Sequence, residues 1–252
     1  MNKLRRLWPA AALVLCACAT VAPPPPPPAS GLGPRASVDL GADLQHTYNT
    51  IVARDMTPAP ALPQADIDAG TSIPIPAHPA IRSALTLFTG DMRDDIQTSL
   101  LRSARYRKTI DAALAEYHLP AGLAYLPVIE SAYVPSVTSR AGAHGIWQFM
   151  PETARDYGLR VDWWVDERAD PEKSAHAAAA YLNDLYRDFN DWPLALAAYN
   201  AGAGRIHRAL ESTGAQSFWD LYDDSAVPRE TRGYVPTFYA TLMIATPKKC
   251  RR

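Results

Sequence analysis

The stretch Pro171–Phe189, "PEKSAHAAAAYLNDLYRDF", has the clearest secondary-structure pattern in the chain. Its apolar side chains recur at helical spacing along one face, which predicts a single amphipathic helix. They are Ala175, Ala178, Ala179, Leu182, Leu185, Tyr186 and Phe189. Asp170 precedes Pro171, and this order is typical of a helix cap followed by a proline in the first turn. The stretch therefore indicates a mainly helical domain.

Two more helices are indicated upstream of this stretch. Pro151 is placed to open a short helix, which Gly158 can end in the left-handed conformation. Residues 119–132, "LPAGLAYLPVIESA", carry leucine and isoleucine at spacings of three and four and predict a buried helix that Pro127 distorts. Alternating strand patterns are scarce, so any sheet is small, with "SVTSRAGAHG" (136–145) as its candidate place. The predicted fold class is mainly α, or α+β with a minimal sheet.

Proline marks the boundary of the domain. Residues 1–79 hold 14 of the 23 prolines, and the run at 23–28 predicts a stiff polyproline II spacer. One helix is compatible with residues 37–56. We therefore predict a Pro-rich tether over 18–77 with at most one helix, and one catalytic domain over 78–252, long enough for a sizeable core.

The N-terminus has the features of an export signal. "MNKLRR" is followed by an apolar run too short to span a bilayer stably, which predicts a signal peptide over 1–17. The end of the run, Leu15 to Cys18, resembles a bacterial lipobox and predicts lipidation of Cys18. Cys16 is unusual inside such a box, so ordinary signal cleavage remains the alternative. Ala19 favours the periplasmic face of the outer membrane of a Gram-negative bacterium over the inner membrane.

Cysteine usage and charge exclude several classes of protein. If Cys18 is lipidated, Cys250 is the single thiol left in the mature chain and no intramolecular disulfide can form. No cysteines and histidines have zinc-ligand spacing, and we predict no metal and no cofactor. Cleavage of the signal removes three basic residues and no acid, so the formal net charge changes from −1 to −4. The sequence therefore lacks the excess of basic residues that is typical of nucleic-acid-binding proteins.

Glu130 is the candidate catalytic residue. It ends the apolar run "LAYLPVI", where partial burial raises the pKa of a carboxyl group and lets it donate a proton near neutral pH. No other acid follows before Glu152, whereas most glycosidases need two carboxylates roughly 5 to 9.5 Å apart. A partner from a distant part of the chain remains open, and so does a helix-end glutamate that merely reaches solvent.

Three blocks carry a family resemblance. They are "ESAYVPSVTSRAGAHGIWQFMP" (130–151), "AAYNAGAGRI" (197–206) and "PRETRGYVP" (228–236). In this order, behind an export signal, they resemble the signature blocks of the lysozyme-like lytic transglycosylases over about residues 78–246. The resemblance is greatest to the D type, whose members usually continue into small peptidoglycan-binding LysM repeats. The sequence has no such repeats before its last residues, "ATPKKCRR".

The resemblance implies a chemistry that needs only one acid. Glu130 would protonate the oxygen that links N-acetylmuramic acid to N-acetylglucosamine in peptidoglycan, while the 2-acetamido group of the muramoyl sugar stabilises the anomeric carbon. Glu130 would then take the proton of that sugar's own C6 hydroxyl, which attacks C1 and leaves a 1,6-anhydro end. The nucleophile is intramolecular and so has a very high effective concentration.

The same resemblance implies the substrate-binding residues, namely Ser139, Gln148, Met150, Tyr199, Asn200, Glu230 and Tyr234. Tyr234 is expected to orient Glu130 or the acetamido group. Four of these positions also have a structural alternative. It is a loop-capping role for Ser139, helix-end packing for Tyr199 and Asn200, and a first-turn acid at a helix dipole for Glu230.

Four aromatic residues lie outside this assignment. Trp147 and Phe149 are predicted to be core or cleft wall. Trp163 and Trp164 are compatible with stacking on sugars, but core packing is the favoured interpretation.

Two other functions remain open. They are a goose-lysozyme-like hydrolase, which adds water, and a non-catalytic glycan-binding lipoprotein. The sequence does not indicate endo or exo cleavage, a stem-peptide preference or protein partners.

Overall fold

The computed structural model describes residues 73–246, which form nine α-helices and two short 3₁₀ helices. The α-helices are α1 (Pro79–Thr89), α2 (Arg93–Glu116), α3 (Leu126–Ser131), α4 (Pro151–Asp156), α5 (Pro171–Phe189), α6 (Trp192–Ala201), α7 (Ala203–Thr213), α8 (Phe218–Asp223) and α9 (Arg229–Ala245). The 3₁₀ helices are Ala121–Tyr125 and Glu167–Ala169. The mainly α fold predicted from the sequence is confirmed.

Helix α5 has the bounds that its apolar face predicts. The Asp170 carboxylate accepts hydrogen bonds from the backbone of Glu172 and Lys173, and Pro171 stands in the first turn. The helix ends at Asn190 in the left-handed conformation. Its buried face packs against α2 and α6, so α5 supports the helix that carries Tyr199.

Helix α9 lies in the core. Every residue from Gly233 to Leu242 is buried, which is the pattern of a helix enclosed on all sides. It packs against α1, α6 and α3. Because these helices surround it, α9 holds the side chain of Tyr234 in a fixed position beside the end of α3.

The single helix predicted over 119–132 is two shorter segments in the structure. A 3₁₀ helix covers Ala121–Tyr125, and α3 begins at Leu126 with Pro127 in its first turn. Proline lacks a backbone N–H and its ring conflicts with the carbonyl four residues earlier, so one α-helix cannot run through Pro127. The break shortens α3 and places Glu130 near its C-terminus.

Extended structure is minimal in the described part of the chain. It consists of isolated antiparallel bridges between Thr138 and His144, His144 and Phe149, and Val161 and Asp166. The first two lie in or directly after the segment predicted to hold any sheet. They fold residues 137–149 into a compact loop, called here the active-site loop.

The start of the described region is already packed. Ile73 is buried in the core, five residues before the predicted domain boundary. The predicted signal peptide, Cys18, the proline run, the helix compatible with 37–56 and Cys250 lie outside the described residues. Among the helices of residues 73–246, none combines the length and apolar character needed to cross a bilayer.

Candidate active site

Glu130 occupies the last turn of α3. The preceding residues of that helix are buried, and Ala132 ends it with a φ of 48°. The next side chain, Ser131, is buried and its hydroxyl donates to the carbonyl oxygen of Ile146 at 2.8 Å. This bond fastens the end of α3 to the active-site loop and leaves the carboxyl group of Glu130 half-buried beside it.

The carboxyl group of Glu130 is held by Tyr234 of α9, whose hydroxyl donates a hydrogen bond to Oε1. Burial raises the pKa of Glu130 to about 8, the Tyr234 hydrogen bond opposes that rise, and the charge of Glu230 adds to it. Glu130 is therefore largely protonated at neutral pH and can act as a general acid. The apolar run before Glu130 predicts this direction of the pKa shift.

Tyr199 joins α6 to the same loop. Its hydroxyl donates to the carbonyl oxygen of Trp147 at 2.8 Å. Burial raises the pKa of Tyr199 well above its ordinary value, and the nearby charge of Glu130 adds to this. The phenol therefore remains neutral, within electrostatic range of Glu130, and acts as a hydrogen-bond donor.

Asn200 links α6 to α9. Its Nδ2 donates to Oε1 of Glu230 at 3.3 Å, and its Oδ1 accepts from the hydroxyl of Thr231 at 2.8 Å. Glu230 also lies in the first turn of α9, so the helix-dipole alternative fits as well. Thr231 was missed in the sequence, although it stands inside the "ETRG" motif. The network fixes the position of the second acid whose charge reaches Glu130.

Ser139 has the loop-capping contact that the sequence leaves open. Its Oγ accepts from the backbone N–H of Ala143 at 3.0 Å, and its own N–H donates to the Ala143 carbonyl oxygen at 2.8 Å. The hydroxyl is the acceptor in the side-chain contact, so its hydrogen remains for another partner. Loop closure and substrate contact are thus compatible at this residue.

Gln148 is also used within the loop. Its Nε2 donates to the carbonyl oxygen of Gly145 at 2.9 Å and to that of Val137 at 3.3 Å, and its backbone has a φ of 49°. The amide donors therefore stabilise the loop, which leaves Oε1 as the group for a ligand. Met150, two residues on, is 43% exposed, whereas Trp147 and Phe149 are buried as predicted.

Arg168 is a buried residue that sequence reasoning missed. Its guanidinium pairs with Asp166, with 2.7 Å between Nη2 and Oδ2. Its Nη1 donates to the carbonyl oxygens of Gly142 and Phe149, both at 2.8 Å. The one signal available in the sequence was the motif "DER" (166–168), in which Asp166 stands two residues before the oppositely charged Arg168. Arg168 thus holds the middle and the C-terminal end of the active-site loop from outside it.

Gly145 and Gly142 have the conformations expected for a tight loop. Their φ values are 84° and 89°, in the region that favours glycine. A Cβ on Gly145 would lie 2.0 Å from the carbonyl oxygen of Arg168, whereas a Cβ on Gly142 would meet nothing within 4 Å. The loop therefore lies closer to the Arg168 backbone at Gly145 than at Gly142.

The favoured interpretation of Trp163 and Trp164 as core residues was wrong. They are 81% and 72% exposed, and their ring centroids are 3.9 Å apart. Both residues lie in a turn closed by Asp162, whose Oδ1 accepts from the N–H groups of Trp164 and Val165. Both side chains therefore stand in solvent, and neither belongs to the core.

Comparisons with known proteins agree with this geometry. The family model described as "Transglycosylase SLT domain" matches residues 108–222. Membrane-bound lytic murein transglycosylase D of Escherichia coli K12 is 39% identical over 145 residues, which are 56% of this chain and 31% of that protein. The soluble lytic murein transglycosylase of the same strain is 34% identical over 116 residues, which are 44% of this chain and 18% of that protein.

The solved structures agree as well. Lytic transglycosylase Slt of Pseudomonas aeruginosa, solved as an inactive mutant, is 28% identical with a TM-score of 0.51, covering 66% of this chain and 27% of that one. Over residues 108–222 the chain is similar to the SLT-type lytic transglycosylases, and its mainly helical fold agrees with that similarity. The family match includes Glu130 and Tyr199 and ends before Glu230 and Tyr234. The chain spans less than a third of the length of the two curated relatives named above.

Proposed function

We propose that this protein is a lytic transglycosylase that cleaves the β-1,4 bond between N-acetylmuramic acid and N-acetylglucosamine in peptidoglycan. The observation that carries the proposal is the pKa of Glu130, raised to about 8 by burial, in a carboxyl group that accepts a hydrogen bond from Tyr234. The names of the relatives, which include "lytic murein transglycosylase", support the same reaction.

The reaction needs two proton transfers at the same carboxyl group. Protonated Glu130 gives its proton to the glycosidic oxygen, the bond from that oxygen to C1 of the muramoyl sugar breaks, and the N-acetylglucosamine end leaves as an alcohol. The acetamido oxygen of the muramoyl sugar stabilises C1. Ionised Glu130 then takes the proton of the C6 hydroxyl as that oxygen bonds to C1. The acid is restored, no water is added, and the product ends in a 1,6-anhydro ring.

The surrounding residues would orient the muramoyl sugar. Tyr234 fixes the carboxyl group of Glu130, and the neutral phenol of Tyr199 lies close to it. Ser139 and Gln148 each keep one polar group, a hydroxyl hydrogen and Oε1, that is not used inside the loop. We assign these groups to the sugar's acetamido and hydroxyl groups.

The remaining assigned residues would also serve glycan binding. The exposed Met150 would contact a sugar ring, and Asn200 would position Glu230 for binding.

The decisive experiment is mass analysis of the products from purified peptidoglycan. Anhydromuramoyl ends support the proposal, whereas reducing muramic ends would show a hydrolase of the goose-lysozyme type. Glu130→Gln keeps the size of the side chain and removes the titratable proton, so we expect it to fold and to release no product. Glu152→Gln is the matched control, because Glu152 is an exposed carboxylate in the neighbouring helix α4.

The non-catalytic alternative has a separate outcome. Unchanged lysis by Glu130→Gln would show that Glu130 is not the catalyst, and a wild-type chain that binds peptidoglycan without releasing fragments would be a binding lipoprotein.

We also propose that the chain is exported and anchored by lipid. Residues 1–17 would be removed, Cys18 lipidated, and 18–77 would tether the domain to the periplasmic face of the outer membrane. Relatives whose names include "membrane-bound" support a place in the envelope. Incorporation of labelled palmitate and recovery in the outer-membrane fraction test this, with Cys18→Ser as the control. Release of unlabelled wild-type chain into the soluble fraction would indicate ordinary signal cleavage.

A further inference from the structure

The turn 162–165 presents two indole rings to solvent. Trp163 is 81% exposed and Trp164 is 72% exposed, and the rings lie against each other at an interplanar angle of 37°. Single apolar side chains are common on protein surfaces and need no explanation. Two adjacent tryptophans at the tip of one turn form a contiguous apolar surface, which is a feature of binding sites. We call this surface the tryptophan pair.

The turn that carries the tryptophan pair is rigidly built. Oδ1 of Asp162 accepts from the N–H groups of Trp164 and Val165 at 2.8 and 2.9 Å, and the Asp162 N–H donates to the Val165 carbonyl oxygen at 2.9 Å. Oδ2 of Asp162 pairs with Nε of Arg160 at 2.6 Å. The side chains therefore stand on a preorganised backbone, which lowers the entropy lost when a ligand binds.

The turn is anchored to the active-site loop. Val161, directly before the turn, pairs with Asp166, directly after it, and Asp166 holds the guanidinium of Arg168. Arg168 in turn donates to Phe149, the residue before Met150. The tryptophan pair is therefore joined through Asp166 and the buried Arg168 to the active-site loop, which carries Gln148.

The charges around the turn select the kind of ligand. Between Arg160 and Arg168, two arginines stand against three carboxylates, those of Asp162, Asp166 and Glu167. An anionic lipid surface attracts clusters of basic residues, and this turn has no such excess. A glycan strand suits it better, because sugar rings offer C–H faces to the indoles and hydroxyl and amide donors to the carboxylates.

We propose that Trp163 and Trp164 are a stacking platform for N-acetylated sugar rings of the peptidoglycan glycan strand, at a distance from the bond that is cut. The proposal rests on the proposed function for the identity of the polymer. The platform would increase the residence of the enzyme on long strands and would contribute nothing to the chemistry at Glu130.

The test measures retention of the full chain by insoluble peptidoglycan, in a Glu130→Gln background so that the polymer is not degraded. We expect Trp163→Ala with Trp164→Ala to weaken retention by roughly tenfold. Replacement of both by Phe should recover part of the binding. Leu101→Ala is the matched control, because Leu101 is 78% exposed on α2 and should leave retention unchanged. Relative to the Glu130→Gln parent, the substitutions at Trp163, Trp164 and Leu101 should leave thermal unfolding unchanged, since these three side chains are exposed.

Activity separates the platform from the catalytic site. In the active enzyme, which keeps Glu130, Trp163→Ala with Trp164→Ala should raise the KM for polymeric peptidoglycan. The same double variant should leave kcat on a short soluble muramoyl glycan unchanged. Equal retention of the double variant and its parent would overturn the platform while leaving the anhydro product, and so the proposed function, intact. If retention depends on the tryptophans but no anhydro product forms, the platform stands and the proposed function is overturned.

Binding to vesicles of phosphatidylethanolamine and phosphatidylglycerol tests whether the tryptophan pair contacts a lipid surface instead of a glycan strand. Comparison of the parent and the double variant cancels the contribution of the lipid anchor. We expect equal binding. Trp-dependent binding to vesicles, without Trp-dependent binding to peptidoglycan, would overturn the proposal in favour of a lipid surface.

Discussion

The hydroxyl of Tyr234 donates a hydrogen bond to Oε1 of Glu130, across 104 residues of sequence. The buried helix α9 supplies the donor, and the short helix α3 supplies the acceptor. This bond stabilises the ionised carboxylate, whereas burial and the charge of Glu230 stabilise the protonated form. The pKa of Glu130 is the balance of these effects, and each neighbour can be altered separately.

Tyr234→Phe removes the donor and keeps the ring. Because the hydrogen bond lowers the pKa of Glu130, its loss should raise that pKa further above about 8. The alkaline limb of the pH–rate profile, where the general acid loses its proton, should therefore move to higher pH. We also expect kcat to fall by roughly 10- to 100-fold because the carboxyl group is no longer oriented. A limb that moved to lower pH would contradict the assigned role of Tyr234.

Glu230→Gln should have the opposite effect on the same limb. The negative charge of Glu230 raises the pKa of Glu130, so a neutral side chain should lower it and move the alkaline limb to lower pH. The amide oxygen of Gln can still accept from Asn200, which keeps the link between α6 and α9. The pH–rate profile of the short soluble glycan measures the shift. An unshifted limb would mean that Glu230 acts only in binding.

Features of the fold and of the candidate site that depend on neighbouring residues in the sequence could be predicted. The face of α5, its Asp170 cap and the upward pKa shift of Glu130 follow from spacing and composition alone. The three blocks also brought Glu130, Tyr199 and Tyr234 into one prediction, and the structure places them together.

The sequence was less informative where distant residues meet. Arg168 looks like any surface arginine until the loop carbonyls of Gly142 and Phe149 surround it. Trp163 and Trp164 carry a strong burial propensity that the turn at Asp162 overrides. In both cases the tertiary position of a loop decides the environment, and neither helical period nor composition contains that information.

Glu130 should also make the stability of the fold depend on pH. Between pH 4.5 and about 8 the unfolded chain has lost this proton while the folded chain keeps it, so the free energy of unfolding should fall as pH rises. Glu130→Gln removes this dependence and should be the more stable protein at pH 8, by on the order of 3 kcal/mol. Denaturant unfolding of both proteins at pH 5 and pH 8 measures it. A difference that does not grow with pH would show that burial does not raise the pKa of Glu130.

The active-site loop should be far more sensitive to a methyl group at Gly145 than at Gly142. Both glycines have a positive φ, so alanine at either costs backbone strain of about 1 kcal/mol. At Gly145 the added Cβ would also lie 2.0 Å from the backbone oxygen of Arg168, which cannot move without disturbing the ion pair of Arg168 with Asp166. We expect Gly145→Ala to lower the free energy of unfolding by roughly 3 kcal/mol or more and to reduce activity, and Gly142→Ala to be mild. Equal effects of the two substitutions on thermal unfolding and on KM would show that the contact between the loop and Arg168 does not position the site.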